Sequence, residues 1–141
     1  MNVLDENIPD SQRQLLRGWR IRVRQIGHEV GRQGMKDEEI IPVLHRLGPV
    51  TFFTRDLGFY YRHPCHTKYC LVCLAVNQYE VASFIRRFLR HPAFNTQARG
   101  MGNVIRVSHT GIRIWRLHAE KEEELAWSTE VSTLDTRFSL S

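Results

Sequence analysis

Lysine is nearly missing from this chain and carboxylates are scarce. Arginine accounts for 17 of the 20 basic residues, and they stand against 15 acids. No apolar run approaches the roughly 18 residues that a membrane-spanning helix needs, so no membrane partner is expected. The three cysteines, an odd number, do not make a disulfide framework, and the reducing cytoplasm is the expected compartment. No secretory leader is expected either, because Asp5 and Glu6 interrupt the place where a cationic stretch and an apolar stretch would lie. Internal repeats are absent. With 141 residues and 42% hydrophobic content, the composition excludes wholesale disorder and fits one domain around a single core.

The charge that is present is unevenly spread. Residues 1–117 carry 18 Lys+Arg against 9 Asp+Glu, whereas residues 118–141 carry 2 against 6. Guanidinium forks grip phosphate in a bidentate way, so a basic, arginine-rich domain suits nucleic acid. Arginine as a plain surface solubiliser accounts for the same composition, and composition leaves the partner open.

Hydrophobic periodicity alternates strand and helix. Asn2–Leu4 is a short apolar strand, and Pro9 to Trp19 carries Leu15, Leu16 and Trp19 at helical spacing with Pro near the first turn. Arg20–Ile26 alternates with period two. A loop with three glycines, 27-GHEVGRQGMK-36, precedes 37-DEEIIPVLHRL-47, a helix with acids in its first turn and a Pro42 expected to kink or shorten it. A β-branched and aromatic strand, 49-PVTFFTRD-56, ends in an aspartate, and Cys70–Val76 reads as a central parallel strand. Gln78–His91 is a helix with an apolar stripe. Asn103–Val107 and Ile112–Leu117 flank 108-SHTG-111 as an antiparallel hairpin at a sheet edge. The strand–helix repetition predicts an α/β sandwich with a mainly parallel sheet and right-handed crossovers. The acidic, Ser/Thr-rich segment 118–141 is expected to be loosely held.

Six of the nine acids in residues 1–117 fall in three clusters: Asp5 with Glu6, Asp37 with Glu38 and Glu39, and Asp56. Asp5 and Asp56 end predicted strands and the middle cluster begins a helix, which places all three on the carboxyl rim of a parallel sheet, where ligands bind. Clustered carboxylates raise one another's pKa, and a hard divalent cation removes that penalty; oxygen ligands suit Mg²⁺ or Mn²⁺. Such an ion can hold a phosphodiester and activate water, with rim arginines attracting the backbone. Each acid also has a structural reading: Asp37 as an N-cap, Glu38 and Glu39 as dipole partners, Asp56 as a turn residue, Asp5 as a helix-entry device.

The pieces 4-LDENIP-9, 37-DEEII-41 and 54-TRD-56, in this order and spacing, resemble the PIN-like nuclease superfamily, closest to the small branch of toxins from toxin–antitoxin pairs. The resemblance covers about the first sixty residues and implies a three-layer α/β/α sandwich with a parallel sheet, extending over residues 1–117. It implies metal-dependent hydrolysis of RNA, with Asp5, Asp37 and Asp56 as the metal-binding carboxylates and Glu39 as a further catalytic acid. It also implies that Asn7 orients a ligand or fixes the loop and that an antitoxin protein is a partner; Glu6 points the other way from Asp5 if the strand persists and is expected to be structural. A homodimer stays open. Where members of that branch often carry one more aspartate, this chain has Gly58, which favours a rival reading as a catalytically silent RNA-binding module. A receiver-like domain phosphorylated at Asp5 or Asp56 is a third reading.

Arg55, Tyr60 and Arg62 border the acidic strand end and are taken as substrate-binding, with Tyr60 and Tyr61 as stacking platforms. The segment 63-HPCHTKYCLVC-73 invites a zinc site, but Cys70 and Cys73 in one strand would face opposite ways, so buried thiols are expected. Arg86, Arg87 and Arg90 on the helix face are either an RNA grip or a solvated face.

Overall fold

The computed structural model describes residues 1–127. Asn2–Leu4 forms β1, Asp10–Gly18 α1, Arg24–Gln25 β2, Asp37–Leu47 α2, Val50–Thr54 β3, Gly58–Arg62 α3, Tyr69–Leu74 β4, Val81–Arg90 α4, Gln97–Gly100 α5, Val104–Ser108 β5, Gly111–Trp115 β6 and Glu123–Leu125 β7. All seven strands join one sheet in the order β2-β1-β3-β4-β5-β6-β7. The first five are parallel, and β6 and β7 add antiparallel at the far end.

Alternation along the central strands builds two cores. Phe53, Cys70, Val72 and Leu74 pack with Leu16 of α1 and with Val81, Phe84, Ile85 and Phe88 of α4. Phe52, Leu71 and Cys73 face the other way, toward Ile40, Val43 and Leu44 of α2 and Phe59 of α3. Every residue of β3 and β4 is buried, because a parallel strand covered on both faces can be apolar throughout. The result is the expected α/β arrangement, a mostly parallel sheet between two helical layers. Cys70 and Cys73 are buried on opposite faces, and burial pushes both thiols up.

Four expectations change. The strand expected over Arg20–Ile26 pairs only at Arg24–Gln25, because its neighbour β1 offers three residues and Arg20 turns at φ 64°. The helix at Asp37–Leu47 is not shortened by Pro42; the carbonyl that loses its partner lies on an exposed face where water can serve it. Residues 58–62, for which no helix is expected from the sequence, form α3.

The fourth change concerns the acidic segment. The hairpin β5–β6 is not the sheet edge, since Glu123–Leu125 pairs with β6. Arginines draw that strand in: Arg113 meets Glu122 at 3.3 Å and Glu124 at 3.5 Å, and Arg116 meets Glu123 at 3.0 Å. Trp127 anchors its end by donating to the Ser108 carbonyl at 2.5 Å. The rest of the segment expected to be loosely held lies outside the described residues. Among the described residues no helix is long and apolar enough to cross a membrane.

Candidate acidic site at the sheet's switch point

In the order 2-1-3-4-5 the chain leaves β1 toward one side and β3 toward the other, so a crevice opens beyond their carboxyl ends. Asp5 follows β1 directly, and Asp56 lies two residues beyond β3. Both line one open pocket of about 330 Å³ together with Asn7, Ile8 and Arg55. Four of the residues expected at the site therefore meet there.

Asp5 is held by its neighbours. Its backbone N–H continues the sheet to the Phe53 carbonyl at 2.9 Å. One carboxylate oxygen accepts from the Glu6 N–H at 2.7 Å and the other from the Thr54 hydroxyl at 2.6 Å. The same hydroxyl oxygen accepts from the Asp56 N–H at 3.0 Å, so Thr54 joins the two acids. Burial pushes the Asp5 carboxyl above the ordinary range, its two hydrogen bonds oppose the rise, and the charges of Asp56 and Glu6 add to it.

Asp37 opens α2 and stands beside Asp56. Burial is the largest cause raising its pKa, the neighbouring Asp56 carboxyl adds to the rise, and Arg62, donating at 2.9 Å, opposes it. Asp56 in turn accepts from the Gly58 N–H at 2.8 Å. The three expected ligands thus stand as two pairs with Asp56 in common. Among the described residues no three His, Cys, Asp or Glu side chains are grouped closely enough to hold a metal ion as a set.

Glu6 explains why two carboxylates adjoin at the end of β1. Its side chain turns away from Asp5 and accepts the Gly34 N–H with both oxygens, at 2.9 and 3.0 Å. It thereby ties down the glycine loop that delivers Asp37. Glu39 is engaged elsewhere. It accepts from the Lys36 N–H at 3.0 Å in a capping box and pairs with Arg32, and the Lys36 bond is the largest cause holding its carboxyl low.

Tyr60 is not a stacking platform. Its ring is buried and its hydroxyl donates to Glu122, across α3 from the acids, whereas Tyr61 beside it is 68% exposed. Arg55 borders the pocket while its Nε donates to the Val76 carbonyl at 3.0 Å. Arg62 binds Asp37 and lies over the Phe59 ring.

Gly58 has a steric reason. A Cβ there would meet Asp56 Oδ1 at 2.9 Å and Arg62 Nη1 at 3.0 Å. An aspartate at this position would have to displace both groups before its carboxyl could contribute.

No family model matches the chain, and neither the curated proteins nor the solved structures give a match. The site is therefore argued from its own geometry.

Two positioning residues have no signature in sequence spacing. Thr54 stands inside the quoted motif, but its double hydrogen bond appears only once β1 and β3 are paired. Gln25, 2% exposed, donates to the carbonyls of Asp5 at 3.0 Å, Glu6 at 3.4 Å and Ile8 at 2.9 Å.

Thr54→Val keeps the shape and removes the hydroxyl. Asp5 then loses a bond that holds its pKa down, so its carboxyl rises further and needs a higher pH to ionise. If Asp5 holds a catalytic ion, activity should fall about 10–100-fold, the scale for groups supporting a ligand residue. The acidic limb of the pH–rate profile moves to higher pH. An unmoved limb would show that Asp5 does not titrate in the reaction.

Proposed function

We propose that the protein is a metal-dependent endoribonuclease of the PIN-like kind, acting as the toxin of a toxin–antitoxin pair. The observation that carries this reading is the convergence of Asp5 and Asp56 in one pocket at the switch point, with Asp37 beside Asp56. A domain poor in acids has brought three of them to one rim, and burial and mutual repulsion raise two of their pKa values. Such an arrangement costs stability unless a cation compensates it.

The donor chemistry fits Mg²⁺ or Mn²⁺. The candidate ligands are carboxylate oxygens, and neither His nor Cys lines the pocket. Asp5 and Asp56 would hold the ion, with Asp37 beside Asp56 but engaged by Arg62, and the ion would supply charge neutralisation at a phosphodiester and a more acidic bound water. The chain's own part is positioning. Thr54 and the Glu6 N–H fix Asp5, Gly58 fixes Asp56, and Glu6 and Arg62 fix Asp37. Arg55 and Asn7, both exposed in the pocket wall, offer donors to the phosphates of a bound strand.

Purified protein is expected to cut single-stranded RNA with Mn²⁺ and to stop when the ion is chelated. Asp5→Asn should lower the rate by about 10³-fold, the kinetic weight of several kcal/mol of charge stabilisation. Equal cutting by parent and variant, or cutting indifferent to chelator, would remove the site.

One observation favours a second reading, a catalytically silent RNA-binding module of the same fold. Arg62 already neutralises Asp37 across 2.9 Å, so one member of the acid set has a resident cation. Salt-sensitive RNA binding without turnover at any divalent ion would decide for it.

A further inference from the structure

Beyond α3 the sheet has a second surface that the acidic site does not use. Along β5 and β6, Ile105, Val107, Ile112 and Ile114 turn into the core. The alternate residues Arg106, Arg113 and Trp115 turn the other way. Arg106 and Arg113 are direct cross-strand partners. A cavity of about 400 Å³ opens over them, walled by Tyr60, Tyr61 and Glu122, and a second of about 530 Å³ shares both arginines.

The two arginines differ. Arg113 is answered by Glu122 and Glu124. Arg106 has no carboxylate partner among the described residues, and its Nε is shut from solvent with no hydrogen-bond acceptor. That Nε is closed to a ligand as it is to water, so an anion would be met by the rest of the guanidinium, where Arg106 lines both cavities. Flat aromatic surface stands around it. Tyr61 is 68% exposed, and Trp115 is held by the His63 ring, 4.0 Å away and 11° from parallel.

We propose that this face binds single-stranded RNA, with Arg106 on a phosphate and Tyr61 and Trp115 against unstacked bases. An unmet cation among aromatic faces matches a ligand that alternates anions with planar rings. The face also connects with the acidic site, because α3 points Arg62 to Asp37 on one side and Tyr60 and Tyr61 into the cavity on the other. A strand entering the acidic pocket would cross α3 and continue over β5 and β6. This extends the ribonuclease reading and rests on RNA as its substrate, but binding can be measured without cutting.

The test is titration of a fluorescent oligouridine in excess chelator, which silences cleavage, against the parent, Tyr61→Ala, Arg106→Ala and Arg22→Ala. Arg22 is exposed just before β2, at the opposite edge of the sheet, and controls for loss of one positive charge. Tyr61→Ala is expected to weaken binding about tenfold, within the range for one stacked base. Arg106→Ala should weaken it similarly and reduce the log–log salt slope by about 0.7. Arg22→Ala should bind as the parent does.

Tyr61 is exposed, so its replacement leaves the fold in place and decides the matter even if Arg106→Ala unfolds. Tyr61→Ala binding like Arg22→Ala overturns the proposal. Displacement by an acidic peptide from a face that oligouridine does not occupy would overturn it too, and would assign the surface to a protein. Loss of binding in Tyr61→Ala with no cleavage by the parent would sink the nuclease reading and leave this one standing.

Discussion

Asp56→Asn will abolish metal-dependent cleavage while making the protein more stable at neutral pH. Asp56 is common to both acid pairs, so its removal strips a ligand from each, and a fall of about 10³-fold or more is expected. The fold should survive. Asparagine can still accept the Gly58 N–H at the start of α3, and asparagine and aspartate cap helices about equally well.

The stability gain follows from the remaining acids. Burial first, and the Asp56 charge in addition, hold Asp5 and Asp37 above their ordinary carboxylate value of 3.8. A carboxyl with a raised folded pKa contributes stability that is complete below the unfolded value and is lost as pH rises through the folded one. Without the Asp56 charge both pKa values fall back toward 3.8, so less is lost at neutral pH. Thermal unfolding should therefore show Asp56→Asn melting above the parent at pH 7, with the gap closing as pH falls below 3.8. Added Mn²⁺ should raise the parent's melting temperature more than the variant's, because a ligand stabilises only the state that binds it. A variant that cuts within tenfold of the parent, or that melts lower at pH 7, would contradict the shared role of Asp56.

On the nuclease reading, stability and activity are opposed at this rim. The site keeps charge where folding alone would remove it, which is how a functional position differs from a structural one. Glu39 and Glu29 show the contrast. Both have lowered pKa values, Glu39 through the Lys36 N–H and nearby cations, and Glu29 through the Gln25 N–H and arginines 13 and 17 against the opposing effect of burial. Those carboxylates are satisfied by the chain itself and leave nothing for a ligand to do.

The parts legible in the sequence are those that burial periodicity encodes. The β-branched and aromatic run of β3, the apolar run of β4 and the stripe Val81, Phe84, Ile85 and Phe88 of α4 say how each segment sits in the layers, since each side chain must be buried on one face or the other. The rim position of Asp5 and Asp56 follows from parallel strands ending there. What stayed hidden depends on partners distant in sequence. β7 has only three residues, two of them glutamates, and no apolar period; it is a strand because Arg113 waits on β6 and Arg116 just beyond its end. Glu39 shares a helical turn with Asp37, yet the Lys36 N–H and Arg32 claim it, a competition that motif order does not report.

Gln25→Met is expected to cost about 3 kcal/mol of stability and to loosen the acidic site. The methionine nearly matches the glutamine in length, so it fills the same space in a strand position that is 2% exposed. It cannot donate. Three carbonyls, those of Asp5, Glu6 and Ile8, lose their common partner, and an unsatisfied buried polar group costs about 1–3 kcal/mol. The Ile8 bond is fully buried and the other two partly so, which keeps the sum near the lower end of that scale. These carbonyls belong to the turn between β1 and α1, the segment that aims Asp5 and Asn7 into the pocket. Chemical denaturation should show a lower midpoint with an unchanged slope, meaning that the same surface is still buried. Cleavage should fall further than the loss of folded protein explains, since misplacing a reacting group by about 1 Å can cost about 10²-fold. If stability falls and the rate per folded molecule does not, the turn supports the fold but does not aim Asp5.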